Sequence, residues 1–290
     1  MPVGWKTSLL SRLRGASIGS SGEGEEQPQH PTPRTQEERV GDPWSQDGFR
    51  CRLEWGRRGA RVAAERGDVL VVVDVLSFSS AAVTAVQHGG LVYPCAWTDD
   101  PQALAAQLRA VAAVNRPDVP TRGQFSLSPP TFTAMEPGTR VVLASPNGAT
   151  CSRFGRDVPH LLVGALVNAQ AVAEAVGQLL TTSDLSVTVL ACGERWRQTS
   201  EDGELRFAIE DYLGAGAIIA ALPETLTRSP EASLCAGAFR SVGDGLHGVL
   251  WESGSGRELR AAGYPQDVEH AAQLNAYTAV PRMVNDWLVG

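Results

Sequence analysis

Residues 69–80, VLVVVDVLSFSS, constrain this chain more than any other stretch. A run of valine and leucine is interrupted only by Asp74 and then opens into small hydroxyl residues. A continuous apolar run of this length reads as a strand buried on both faces, the signature of a parallel sheet covered by helices. The acid at its carboxyl end sits where open α/β sheets place their chemistry. Ser77, Ser79 and Ser80 lead into AAVTAVQHGG, which has helical spacing and a glycine stop. Such a corner suits a metal ion or an anion; equally, Asp74 can simply cap the next helix.

The rest of the chain repeats this alternation. Strands are expected at FRCRLEW near Phe49, and at 91–96, 140–144, 160–164 and 186–191. Helices are expected at 81–88, 101–114 (with proline at its first position), 149–154, 169–180, 207–221, 229–241 and 265–276. The fold class is therefore α/β, a mainly parallel sheet with helices on both faces. Residues 16–47 are rich in Ser, Gly, Glu, Gln and Pro and cannot bury enough apolar area to offset their ordering entropy. The expected division is a disordered leader over residues 1–47 and one α/β domain over 48–290.

A net charge of −7 argues against a nucleic-acid surface, which needs a basic excess. It leaves room for a small anionic ligand, and for a homo-oligomer. Lys6 is the sole lysine, so every other basic charge is an arginine. The five cysteines are widely spaced with no C-x-x-C pair, which points to free thiols and a cytoplasmic setting. No apolar run approaches the ~18–20 residues that span a membrane, so no membrane association is expected.

Four expected strand ends carry small polar residues: 74–80, 145–150, 165–168 and 191–195. In a parallel sheet they converge on one edge. In SPNGAT, Asn147 and Gly148 precede a helix, and glycine lets backbone approach an anion. Glu210 and Asp211 are adjacent on an apolar helix and point about 100° apart. With Asp74 they make three oxygen donors of the kind Mg²⁺ prefers. No Walker loop, dinucleotide-binding glycine motif or G-x-S-x-G elbow is present.

Taken in order, VVVDVLSFSSAAVTAVQHGG, SPNGATC, ALVNAQAVA, TVLACGE, AIEDYLGAGAI and SGRELRAAGYPQDVEHAAQLNAYTAVP resemble the 2-phosphosulfolactate phosphatase (ComB) family. The resemblance implies the family's α/β fold. It also implies Mg²⁺-dependent removal of phosphate from a small sulfonated hydroxy acid, a step towards coenzyme M where that is made. On this reading Asp74, Glu210 and Asp211 are the catalytic and metal-holding acids, Asp74 serving as ligand or as phosphoryl-accepting nucleophile. Ser79, Ser80, Asn147, Gly148 and Asn168 are the expected substrate contacts. Three departures stand out. Ser77 occupies the place of a family arginine. Ser145-Pro146 replaces Thr-Thr. The segment FSLSP, Phe125–Pro129, lacks a family aspartate. Arg122, Arg195 and Arg197 are the expected candidates to restore the missing positive charge. A non-catalytic, small-anion-binding member of the same fold is the alternative.

Overall fold

A computed structural model describes residues 44–196 and 204–290. The expected leader, apart from residues 44–47, lies outside the described residues, as does Arg197.

The apolar run folds as strand β2 (Val69–Val73), buried at all five positions. It is flanked by β7 (Val187–Ala191) and β6 (His160–Gly164), both parallel to it, and β7 in turn pairs in parallel with β1 (Cys51–Trp55). A second parallel group joins β3 (Leu91–Ala96), β5 (Arg140–Ser145) and the short β4 (Val111–Ala112). A hairpin of β10 (Arg282–Val284) and β11 (Trp287–Val289) links the groups through two antiparallel pairings, Arg282 with Leu162 and Leu288 with Val92. Asn285 and Asp286 turn the hairpin with φ of 49° and 67°, the positive values that two-residue hairpin turns favour. The described residues thus form a nine-stranded, mainly parallel sheet in the order β1-β7-β2-β6-β10-β11-β3-β5-β4, together with a two-stranded ribbon of β8 (Glu194–Arg195) and β9 (Leu205–Arg206).

The two parallel groups run in opposite senses along this ladder. In a flat sheet the carboxyl ends of β2 and β5 would face away from each other, five strands apart. They meet instead: the Gly148 N–H, just after β5, donates to Asp74 Oδ2, just after β2, at 2.7 Å. The sheet therefore folds over at the hairpin, and its halves face each other across a shared core.

That core holds Leu70 and Val72 from one half, Val92, Val141, Leu143 and Leu288 from the other, and helices between them. The innermost helix is α2 (Phe78–Gln87), buried continuously from Phe78 to Val86, as a helix apolar on all sides must be. It packs against α4 (Gly148–Phe154), which in turn packs against α1 (Gly56–Arg66). On the outer face of the first half, Val69, Val71 and Val73 pack under α5 (Ala169–Thr181), α6 (Ile209–Ala221) and α7 (Pro230–Val242). On the outer face of the second half, Tyr93, Cys95 and Val142 pack under α3 (Pro101–Leu108). Helices thus cover both faces, as the run of valines requires. The remaining helices α8 (Leu246–Glu252), α9 (Gly254–Ala261) and α10 (Pro265–Ala271) close one end.

Two local expectations are corrected. Helix α3 ends at Leu108 instead of 114, because Arg109 takes a left-handed cap with φ 52°. The chain then enters β4. Helix α10 stops at Ala271, and its cap N–H bonds His270 and Val268 carbonyls. All five cysteines are buried and free, as expected.

Helices α6 and α7 pack closely enough that a Cβ on Gly216 would lie 2.5 Å from the Cys235 carbonyl oxygen and 2.9 Å from Phe239 Cβ. The nearest atom is backbone and cannot swing aside. Gly216→Ala is expected to destabilise the fold by about 1–3 kcal/mol through forced separation of the helices. Urea denaturation measures this; an unchanged midpoint would contradict the packing described.

Candidate active site

The corner after β2 is built by short-range polar bonds. The Asp74 N–H donates to Ser79 Oγ at 2.9 Å, and Ser79 Oγ donates to the Val72 carbonyl at 3.2 Å. Ser80 Oγ donates to the Val75 carbonyl at 2.8 Å. These hydroxyls compete for nearby backbone, as serines near element ends do. They orient the Asp74 carboxylate, which is 3 % exposed. Its Oδ2 accepts from the Gly148 N–H and from Ser145 Oγ at 3.3 Å, and its Oδ1 accepts from the Phe78 N–H at 3.3 Å.

Asp211, on the first turn of α6, is buried behind this corner. Its Oδ1 accepts from the Val75 N–H at 2.7 Å and its Oδ2 from the Gly193 N–H at 2.9 Å. It clips together the chain leaving β2 and the chain leaving β7. Glu210 is 2 % exposed beside it. Just past Gly193, Glu194 accepts from Asn147 Nδ2 at 3.1 Å and from Ser255 Oγ at 3.4 Å.

A cavity of about 420 Å³ opens on this wall. Asp74, Ser145, Pro146, Asn147 and Glu194 line it, together with Ser77, Asn115, Arg116, Ser255, Glu258 and Tyr264 among others. Sequence-expected residues divide accordingly. Asp74 and Asn147 line the cavity, and Gly148 adjoins it through its N–H. Glu210 and Asp211 stand behind the wall. Ser79, Ser80 and Asn168 are fully buried. The Asn168 side chain is spent on backbone, accepting from the Ala165 N–H at 2.9 Å and donating to the Ala279 carbonyl at 2.9 Å. The expectation that Ser79, Ser80 and Asn168 touch substrate therefore gives way to a structural role for each.

The acids repel one another. Burial, first, and then the charges of Asp74 and Glu210 push the Glu194 carboxyl up to about 7. Burial and Glu210 push Asp74 up against the opposing pull of its hydrogen bonds. Burial and the charges of Asp74, Glu210 and Glu194 hold Asp211 well above the usual carboxylate range. Such mutual perturbation marks functional clusters, and a cation relieves it.

Among the described residues no three His, Cys, Asp or Glu side chains are arranged to hold one metal ion. Asp211, with both oxygens on backbone N–H groups, clips the two strand ends together. The donor set still fits a hard cation that keeps several waters and takes one or two carboxylates. Asp74 and Glu194 are the carboxylates on the cavity wall beside Asn147. The Asn147 side chain, oriented by its bond to Glu194, leaves Oδ1 buried without a partner among the described residues.

The guanidinium that reaches Ser77 belongs to Arg116, which sequence reasoning missed. Arg116 Nη2 donates to Ser77 Oγ at 2.7 Å and to the Leu127 carbonyl at 3.2 Å, and Nε pairs with Asp267 at 2.8 Å. Of the expected substitutes, Arg122 is exposed and pairs with Asp118, and Arg195 pairs with Glu204. Glu194 was also missed, although it lies at one of the four expected strand ends.

A family model for 2-phosphosulpholactate phosphatase matches residues 59–286. A 2-phosphosulfolactate phosphatase of Methanothermobacter thermautotrophicus is 30% identical over 217 residues, covering 75% of this chain and 87% of that protein. A probable 2-phosphosulfolactate phosphatase of Carboxydothermus hydrogenoformans is 28% identical, covering 73% and 84%. A 2-phosphosulfolactate phosphatase of Methanocaldococcus jannaschii is 27% identical, covering 74% and 88%. Among the described residues no helix is long and apolar enough to cross a membrane. The match spans both halves of the folded-over sheet and every acid of the cavity wall, and the chain belongs to the 2-phosphosulfolactate phosphatase family.

Proposed function

We propose that this protein is a Mg²⁺-dependent phosphatase of a small phosphorylated hydroxy acid, with 2-phosphosulfolactate as its reference substrate. The observation that carries the reading is the convergence of Asp74, Glu194 and Asn147 on one cavity, with Glu210 and Asp211 buried behind them. Asp74 and Glu194 would hold the ion, and Glu210 would add negative charge behind it. When bound, Mg²⁺ neutralises phosphoryl oxygens and lowers the pKa of water. The Gly148 N–H and Ser145 Oγ fix Asp74 Oδ2 in place. That rigidity also suits Asp74 as the nucleophile that accepts a phosphoryl group. Asp211 keeps the carboxyl ends of β2 and β7 together and so positions both wall carboxylates.

Phosphate release from 2-phosphosulfolactate, with Mg²⁺ and with EDTA, tests this reading. Turnover that requires Mg²⁺ is expected. If Mg²⁺ raises the melting temperature but no small phosphorylated hydroxy acid is hydrolysed, the protein is instead an anion-binding member of the fold.

A further inference from the structure

The cavity is electrically lopsided. Three carboxylates, Asp74, Glu194 and Glu258, line it, and Arg116 is the one basic side chain among the described lining residues. Arg116 is held from three directions. Asp267, fully buried, accepts from Nε; Ser77 Oγ and the Leu127 carbonyl accept from Nη2. Asp267 is itself fixed by the Ser128 hydroxyl, and the ring of Tyr264 lies 5.7 Å from the guanidinium carbon. Nη1 takes no partner among the described residues, so its two N–H donors are left for a ligand. A guanidinium pinned through Nε and Nη2 presents its remaining nitrogen, Nη1, as a charged donor to an anion.

We propose that Arg116 is the specificity-determining residue of this cavity. Its free Nη1 takes the second strongly anionic group of the substrate, the sulfonate on the carbon beyond the phosphorylated one. The inference rests on the phosphatase reading for where the phosphoryl group lies, at the Asp74–Glu194 wall. It assigns the opposite chemical end of the substrate to the Ser77–Arg116 side. Ser77 is small and accepts from Arg116 Nη2, so it does not engage Nη1. Asp267 balances the arginine's charge while the cavity is empty, so the cation is tolerated there without a bound anion.

The test compares 2-phosphosulfolactate with 2-phospholactate, which keeps the phosphate and carboxylate but has a methyl group in place of the sulfonated carbon. kcat/KM is measured for both in wild type, Arg116→Gln and Arg116→Lys, at fixed Mg²⁺ and ionic strength. Wild type is expected to prefer the sulfonated substrate by about ten- to a hundredfold, the worth of a charge-assisted pair. Arg116→Gln is expected to bring that ratio close to one, mainly through KM. Arg116→Lys, which keeps the charge but has a single nitrogen to share between Asp267 and the anion, is expected to fall between them. A purely structural Arg116–Asp267 tie would lower both substrates together and leave the ratio intact, and that result overturns the proposal. So does a wild-type protein with no preference, whatever the folding of the variants. If neither compound is hydrolysed, the phosphatase reading fails separately, and calorimetric binding of sulfolactate and lactate decides Arg116. A gap in affinity that closes in the Lys or Gln variant supports it; equal binding in wild type overturns it.

Discussion

An Asp74→Asn protein is expected to lose phosphatase activity by about a thousandfold while remaining folded. Asp74 is the carboxylate on which both halves of the sheet converge. Its oxygens accept from donors on both sides, the Phe78 N–H on Oδ1 and the Gly148 N–H with Ser145 Oγ on Oδ2. An asparagine has one oxygen, so its NH₂ must face either Phe78 or Gly148, donor against donor. That conflict costs about 1–3 kcal/mol, offset in part because a buried charge near Glu210 has gone. Activity suffers more, since the lost charge would hold the cation and its oxygen is the candidate nucleophile. Phosphate release and thermal unfolding measure the two effects separately. Full activity in the variant would reduce Asp74 to a cap for α2.

Stability of the metal-free protein is expected to fall as pH rises from about 4.5 to about 7. Glu194 moves from an ordinary 4.5 to about 7 in the folded chain. Between those values the folded state holds a proton that the unfolded state has released, so the slope of unfolding free energy with pH is negative. The stability is fully present below the unfolded value and is lost as pH approaches the folded one. Glu194 alone contributes roughly 3 kcal/mol to this loss. Asp74 and Asp211 are raised as well and act in the same direction. His270, lowered by burial, acts in the opposite sense near neutral pH. The difference between wild type and Glu194→Gln isolates the carboxylate. Guanidinium denaturation from pH 4.5 to 8 should show a steep decline in wild type and a flatter one in the variant. Mg²⁺ should raise the melting temperature more at pH 8 than at pH 5, because only ionised carboxylates reward a cation. A wild-type profile parallel to that of Glu194→Gln would show that Glu194 is not perturbed.

How much of this was legible in the sequence differs from residue to residue. Strand β2 was, because a continuous apolar run reads as a strand buried on both faces, and the end of that strand puts Asp74 on the cavity wall. The helix boundaries of α5 and α7 followed from apolar spacing to within one residue. The roles of Ser79 and Ser80 were not legible. Whether a hydroxyl beside a strand end faces the ligand or its own backbone is decided by a turn of a few residues. Glu194 was hidden because Gly193, with φ 66°, redirects the chain after β7, and sequence spacing carries no sign of that change in direction. Arg116 and Asp267 are 151 residues apart and share no local pattern at all. The hairpin of β10 and β11 has strands of three residues each, too short for alternation to register.

The folded-over sheet has a consequence for how such a protein can change over evolutionary time. The two halves share the cavity wall: Asp74 meets Gly148 across 74 positions, and Ser77 meets Arg116 across 39. Neither half is a module that recombination could exchange, because a transplanted half would arrive with its partners left behind. New specificity must therefore come by point substitution within an intact lineage, with distant positions altered together. Ser77 and the arginine that leans on it are one such linked pair, joined in space although the chain writes them far apart.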